Sequence, residues 1–239
     1  MSLGITKMAG LVAIDDELMR SSSPSAELLV RDDLAKTIST FMDVQFVDPN
    51  VAAVANVNPA SMTNGVTAVA ATGTNLAAFN TDMATLMGQW GSTEIDASKG
   101  VFVMTPNQAM RIGMMLNSLG VRQYPSIDIT GGTLNGLQVI VSNSANIHGS
   151  PDSGNMILLV NPPEILIADE GGITVDISNE ASIQMLDNPT NASTGGTTAT
   201  TMVSMFQTHS HALRAVRYVN WVKRGSNAVV YIREAAYAA

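Results

Sequence analysis

The sequence predicts an α+β protein. Three observations predict it: one long helix with a marked start and stop, separated strands and short helices after it, and 46% hydrophobic residues over 239, enough for a real core. The length suits one large or two small domains.

The long helix is placed at 24–47. Ser23 is a suitable N-cap, Pro24 occupies the first helical position, where its missing N–H is harmless, and Glu27 complements the dipole. Val30, Leu34, Ile38 and Phe41 then recur at helical spacing until Val47-Asp48-Pro49 ends the pattern, giving a rod of about 36 Å at about 1.5 Å per residue. Its other face carries Arg31, Asp32, Asp33, Lys36 and Asp43. Residues 49–75 are small and neutral, with a hairpin signal at Asn64-Gly65. A helix capped by Asn75 follows, with Leu76, Phe79, Met83, Leu86 and Met87 inward and Gly88 and Gly91 closing it. Val101–Met104 is a strand, and Thr105-Pro106 opens a helix with Ala109, Met110, Met114 and Leu116 or Leu119 near one face before Gly120. Strands are read at 134–142, 156–160, 165–168 and 173–178, the last with Ile173, Val175 and Ile177 on one face. Residues 187–201 hold almost nothing that could enter a core and form a loop. One extended segment covers 202–223, and a last strand 228–232.

Charge is scarce. Charged residues make up 13%, about half the usual ~25%, and the net charge is −8. Neutral Ser, Thr, Asn and Gln cover part of the surface, and faces made to meet other subunits would account for the rest, since interface cores are depleted in charge. Five bases (Arg214, Arg217, Lys223, Arg224, Arg233) crowd into 209–239 with one acid, Glu234. A pI near 4.7 and 5% aromatics argue against nucleic-acid binding, so charge complementarity between subunits fits better, with an ordinary solvated strand face as the commonest alternative. The absence of cysteine excludes disulfide scaffolds, cysteine-ligated zinc modules and thiol enzymes. With no signal peptide and no apolar run near 20 residues, the chain reads as soluble and cytoplasmic, without a membrane partner.

No enzymatic motif is present: no nucleophile elbow, phosphate loop, His-Glu-x-x-His or dinucleotide glycine fingerprint. His209 and His211 would share one strand face and need a third ligand to hold a metal; a surface or interface role is the commoner use, and a metal-dependent enzyme built on them is the alternative from another class. His148 lies in a Gly-Ser-Pro loop. The expectation is a structural protein, not an enzyme, with no catalytic residues, metal or cofactor.

Six segments in order carry a resemblance: Leu11–Leu18, Ser22–Leu34, Val-Met-Thr-Pro at 103–106, Leu-x-Gly-x-x-Val-x-Val-Ser at 134–142, Ile-Ala-Asp-x-Gly-Gly-Ile-Thr-Val at 167–175, and the run Phe206–Trp221. Together they resemble the major capsid protein of tailed bacteriophages and prophages, a shell fold shared with encapsulins. The resemblance implies a peripheral domain in two parts, 1–65 with a spine helix at 24–47 and 173–222 with the loop 187–201. It also implies an axial domain at 66–172 and a final strand at 223–239 returning toward it. The implied work is mechanical: copies assemble as hexamers and pentamers into an icosahedral head, with scaffold, portal and maturation protease as possible partners, in the virion and, during assembly, the bacterial cytoplasm. An encapsulin-type compartment is the alternative within the fold. Subunit contacts are expected at Asp32, Asp33, Asp43, Pro189, Asn191, Arg214, Arg217, Lys223 and Arg224. Only the end of the family's extended loop, near 5–12, is recognisable, so the resemblance implies an N-terminally truncated chain, a monomer or weak oligomer by itself.

Overall fold

The long helix forms where the apolar spacing predicts it, and the computed structural model describes residues 3–21, 25–55, 57–91, 96–147, 154–186, 201–225 and 228–237 of the chain. In chain order, β1 (Lys7–Asp15) leads into α1 (Asp16–Ser21), and α2 spans Ser25–Val47. There follow β2 (Val69–Ala70), α3 (Leu76–Gly91), β3 (Val101–Met104), α4 (Pro106–Met114), β4 (Ile127–Asp128), β5 (Gly131–Leu134) and β6 (Leu137–Val141). Then come β7 (Asn146–Ile147), β8 (Gly154–Asn155), β9 (Ile157–Val160), β10 (Ile165–Asp169) and β11 (Thr174–Ser178). The last are β12 (Ser182–Ile183), β13 (Val203–Ser204), β14 (Ser210–Lys223) and β15 (Val229–Arg233). The cap expected at Ser23-Pro24, His148 and most of the loop 187–201 lie outside the described residues.

The chain divides into two compact units, the first made of Met1–Thr6, Thr40–Asp169 and Val219–Ala239. Its sheet has the order β2-β15-β9-β3-β6-β5-β4, parallel where β15 meets β2 and β3 meets β6 and antiparallel elsewhere. Phe79, Met83, Leu86 and Trp90 from α3 and Ala109 and Ile112 from α4 form one buried cluster with Phe102, Met104, Ile157, Leu159, Val230 and Ile232 of the sheet. At about 1.5–3 kcal/mol for each large side chain fully buried, this cluster is what holds the unit together. Both helices start on the residues read from the sequence: Asn75 Oδ1 accepts the Ala78 N–H at 2.9 Å, and the Thr105 hydroxyl accepts the Gln108 N–H ahead of Pro106. The last strand, β15, is paired on both sides inside this sheet.

The second unit is Lys7–Ser39 with Glu170–Tyr218. β14 runs antiparallel between β1 (Lys7↔Tyr218 to Asp15↔Ser210) and β11 (Thr174↔Val216 to Ser178↔Ala212). Gly10 sits beneath α2: a Cβ there would lie 3.2 Å from Leu34 Cδ1 and 3.4 Å from Ile38 Cδ1, so its bare backbone is what lets the helix rest on the strand. Ile38 is buried, as are Met8, Ile14, Leu213 and Ala215.

Several expectations fail, each for a physical reason. Phe41 is 53% exposed, because the inward stripe keeps a four-residue step from Val30 through Leu34 and Ile38 and passes to half-buried Met42. α4 ends at Met114, and its inward residues are Gln108, Ala109, Ile112 and Gly113, with Met115 just after. Met110, Met114, Leu116 and Leu119 are exposed. Gly88 lies inside α3 and does not close it. Asn64-Gly65 makes a turn but no hairpin, since neighbouring Ser61 and Thr63 are buried and Asn64 Nδ2 donates to the Pro49 carbonyl at 2.8 Å. The two-residue hairpin is instead Asn135-Gly136, both at positive φ (50° and 83°), and it splits the segment read as one strand at 134–142. A turn over 205–209 likewise interrupts the segment expected to be extended through 202–223. On β11, Val175 is half-buried but Ile177 is exposed.

Candidate self-association surface

The residues expected at subunit contacts fall into three groups. Asp32 and Asp33 are exposed on α2 in the second unit, where with Leu28, Leu29 and Lys36 they line a shallow groove. Asp43, also on α2 but in the first unit, is exposed and lies 3.5 Å from the Ser144 hydroxyl. Pro189 and Asn191 lie outside the described residues.

The bases on β14 have partners within the chain. Arg214 faces Asp176 directly across β14 and β11, and its Nη2 donates to Asp176 Oδ2 at 2.8 Å with both side chains 60% exposed. Such a pair is screened by water and contributes about 0–1 kcal/mol. Lys223 turns inward: its Nζ donates to the Asn64 carbonyl at 2.9 Å, and burial lowers its pKa from the usual lysine value. Arg217 is half-buried opposite Met8. Arg224 has an exposed side chain, and its backbone N–H donates to the Glu164 carbonyl at 2.8 Å. Of the expected set, Asp32, Asp33, Asp43, Arg214 and Arg224 present exposed side chains, and the structure draws no acid of the helix to a base of the strand among the described contacts.

His209 and His211 do converge, through a residue the sequence reading missed. His209 adopts φ 55° in the turn before β14, and its Nε2 lies 2.9 Å from Asp16 Oδ2, while His211 Nε2 lies 2.9 Å from Asp16 Oδ1. The Asp16 carboxylate is buried, and its backbone N–H donates to the His209 carbonyl at 3.1 Å. One carboxylate thus holds two imidazoles at hydrogen-bond distance, fastening the junction of β1 and α1 to the start of β14. No signal in the sequence could have found it, because the antiparallel register that puts Asp15 opposite Ser210 and Asp16 beside His209 is set by tertiary pairing. Among the described residues, no group of three or more His, Asp or Glu is arranged to hold a metal ion.

The surface also carries large apolar side chains. In the first unit Met110, Met114, Leu116, Leu119, Val121, Ile129 and Ile140 are exposed, and in the second Leu11, Leu28, Leu29, Ile177, Met185, Leu186, Met202 and Phe206. Exposed apolar side chains, together with 13% charged residues, are suited to meeting other protein surfaces. No described helix is long and apolar enough to cross a membrane.

Comparison with known proteins agrees with this surface. The model of the phage capsid family matches residues 1–233. The chain is 38% identical over 229 residues to a capsid polyprotein of Pseudomonas phage PAJU2, covering 95% of this chain and 33% of that one, so it spans about one third of that relative's length. Among solved structures, a chain from Gordonia phage Cozz superposes with a TM-score of 0.68 at 12% identity, covering 98% of this chain and 71% of that one. One from Mycobacterium phage Adephagia gives 0.64 at 13%, covering 93% and 66%. The capsid of a native gene transfer agent particle gives 0.64 at 14%, covering 100% and 74%. The fold is that of tailed-phage major capsid proteins, and this chain belongs to the phage capsid family.

Proposed function

We propose that this chain is the shell-building part of a major capsid protein, whose copies close by symmetry into the icosahedral head of a tailed phage or prophage. The observation that carries the reading is the family match across residues 1–233, on a molecule whose exposed side chains are largely apolar or neutral and whose charged groups converge on no reaction centre among the described residues. The work is done by interfaces repeated under symmetry, and no catalysis enters it.

In this reading residues 1–65 and 173–222 form a peripheral domain, 66–172 an axial domain, and 223–239 returns to the axial domain. The division into two compact units supports a two-domain subunit, although the units part at 39/40, 169/170 and 218/219 and so group 40–65 with 66–169, and the pairing of β15 with β9 supports the return of the last strand. Asp32, Asp33, Asp43 and Arg224, exposed and without a close countercharge among the described contacts, are the charged residues offered to neighbouring copies. Pro189 and Asn191 belong to the same proposal. Scaffold, portal and maturation protease are the further partners, and the bacterial cytoplasm the place of assembly. Electron microscopy tests the reading: a gene product carrying this chain together with any segment that precedes it forms closed icosahedral particles, and this chain alone sediments as a monomer or weak oligomer. A longer product that stays monomeric at every concentration refutes it.

A further inference from the structure

Residues of the first unit line a cavity of about 180 Å³ on the side of its sheet away from α3 and α4. Alternation along the strands makes it. Phe102 of β3 and Leu159 of β9 enter the buried cluster with the two helices, so Val103 and Leu158, partners across the same ladder, leave on the other face. There they meet Phe46 from the last turn of α2, and Met62 and Val160 extend the apolar wall. Phe46 is set edge-on against Trp221 at 5.2 Å, and the Trp221 indole N–H donates to the Ala60 carbonyl at 2.8 Å, so that wall keeps its shape.

The rest of the lining is polar. Asp43, three residues before Phe46, joins Ser142 and Ser144 to put a carboxylate and two hydroxyls beside the apolar wall. The Ser144 hydroxyl donates to Asp43 Oδ2 at 3.5 Å, and the Ser142 hydroxyl accepts the Ser144 N–H at 3.2 Å. Asp43 has no countercharge among the described contacts. Three acceptor groups beside an apolar slot match one chemistry. An ammonium carries three N–H donors and no acceptor, and an aliphatic stem behind it fills the slot while the charged end stays at the mouth. A cavity of about 150 Å³ takes up a benzene, so 180 Å³ admits a stem of about five carbons. An anion would be repelled by the carboxylate, and a neutral chain would gain nothing from it.

We propose that this cavity is a binding site for a primary alkylammonium, its stem among Phe46, Val103 and Leu158 and its charged end at Asp43, Ser142 and Ser144. The site lies within one copy of the chain and stands apart from the shell reading. Nuclear magnetic resonance titration of the full chain with ethyl-, propyl-, butyl- and pentylammonium chloride at constant ionic strength tests it. Amide shifts centred on Asp43, Ser144 and Ala145 are expected to saturate, with affinity rising by up to about fourfold for each added methylene. n-Pentanol is expected to bind at least about tenfold more weakly than n-pentylammonium, the equivalent of about 1.4 kcal/mol. Asp43→Asn, at an exposed position, should abolish that preference, whereas Asp33→Asn, which removes an exposed carboxylate of α2 in the second unit, should keep it; circular dichroism confirms that both variants fold. Shifts that never saturate, affinity indifferent to stem length, pentanol binding as tightly as pentylammonium, or equal losses in the two variants overturn the proposal. The same ammonium group is carried by free aliphatic amines and by lysine side chains, and Nα-acetyl-lysine methylamide separates them. Binding at least as tight as that of pentylammonium supports the site with a lysine side chain as its ligand, and weaker binding supports it with a free amine.

Discussion

Replacing Tyr237 by Phe removes one hydroxyl from a buried network whose stability contribution depends on pH. Asp82, on α3, is 1% exposed, and its carboxylate accepts the Thr72 N–H at 3.0 Å, the Thr72 hydroxyl at 2.8 Å and the Tyr237 hydroxyl at 2.7 Å. The Tyr237 ring packs edge-on against Phe79 at 5.0 Å and stays in place in the Phe variant. A hydrogen bond to a charged group contributes about 1.5–3 kcal/mol, and the loss corresponds to a fall in Tm of about 3–12 °C at the ~2–4 °C per kcal/mol typical of this size. Burial first, then the hydrogen bond and charge of Asp82, push the Tyr237 pKa far above its ordinary 10.0. The folded chain therefore keeps a proton that the unfolded chain releases above pH 10. The wild type loses about 1.4 kcal/mol of stability per pH unit there, and the Phe variant is spared that loss. Urea denaturation from pH 8 to 11.5 should show the two proteins' stabilities parallel below pH 10 and converging above it. Curves that remain parallel to pH 11.5 refute the reasoning.

Gly132→Ala places a Cβ 1.9 Å from the Ser126 carbonyl oxygen at φ 133°, so folded, soluble protein is lost; Gly136→Ala, at φ 83° with nothing within 4 Å, costs only about 1–2 kcal/mol, and equal melting temperatures for the pair would contradict this. Asp16→Ala leaves the His209 and His211 imidazoles without their shared carboxylate, and at about 1–3 kcal/mol it should speed amide hydrogen exchange in β1 and the first half of β14 while α3 and β9 keep their protection. Arg214→Ala should change stability by less than about 1 kcal/mol in urea, since its bond to Asp176 is exposed at both ends; a larger loss would show that the pair does more than its setting allows.

The long helix and the two caps were legible because their signals are local: Asn75 and Thr105 need only their own first turn to act. The hairpin was misplaced between two identical dipeptides. Asn135-Gly136 is bracketed by Leu134 and Leu137, a cross-strand pair, whereas Asn64-Gly65 follows Ser61 and Thr63, whose buried hydroxyls bond to each other and to the Val47 carbonyl. A dipeptide favours a turn, but what flanks it decides whether strands leave it. The inward face of α4 failed for a related reason. Met110 and Met114 share helical spacing just as Ala109 and Ile112 do, and only packing against the sheet selects the second pair. Of the candidate site, the exposed acids of α2 could be read from periodicity. The partners of Arg214 and of the two histidines could not, since Asp176 lies on a strand, and Asp16 just past one, brought alongside by tertiary register.

That register also changes what the basic stretch 209–239 does. Counted along the sequence, its five bases look like one patch awaiting an acidic neighbour. Only three of them lie on β14, and there Arg214 is answered by Asp176 and Lys223 by a backbone carbonyl. Charge density along a chain is therefore a poor guide to charge density on a face when the segment is a strand, because alternate residues leave on opposite sides.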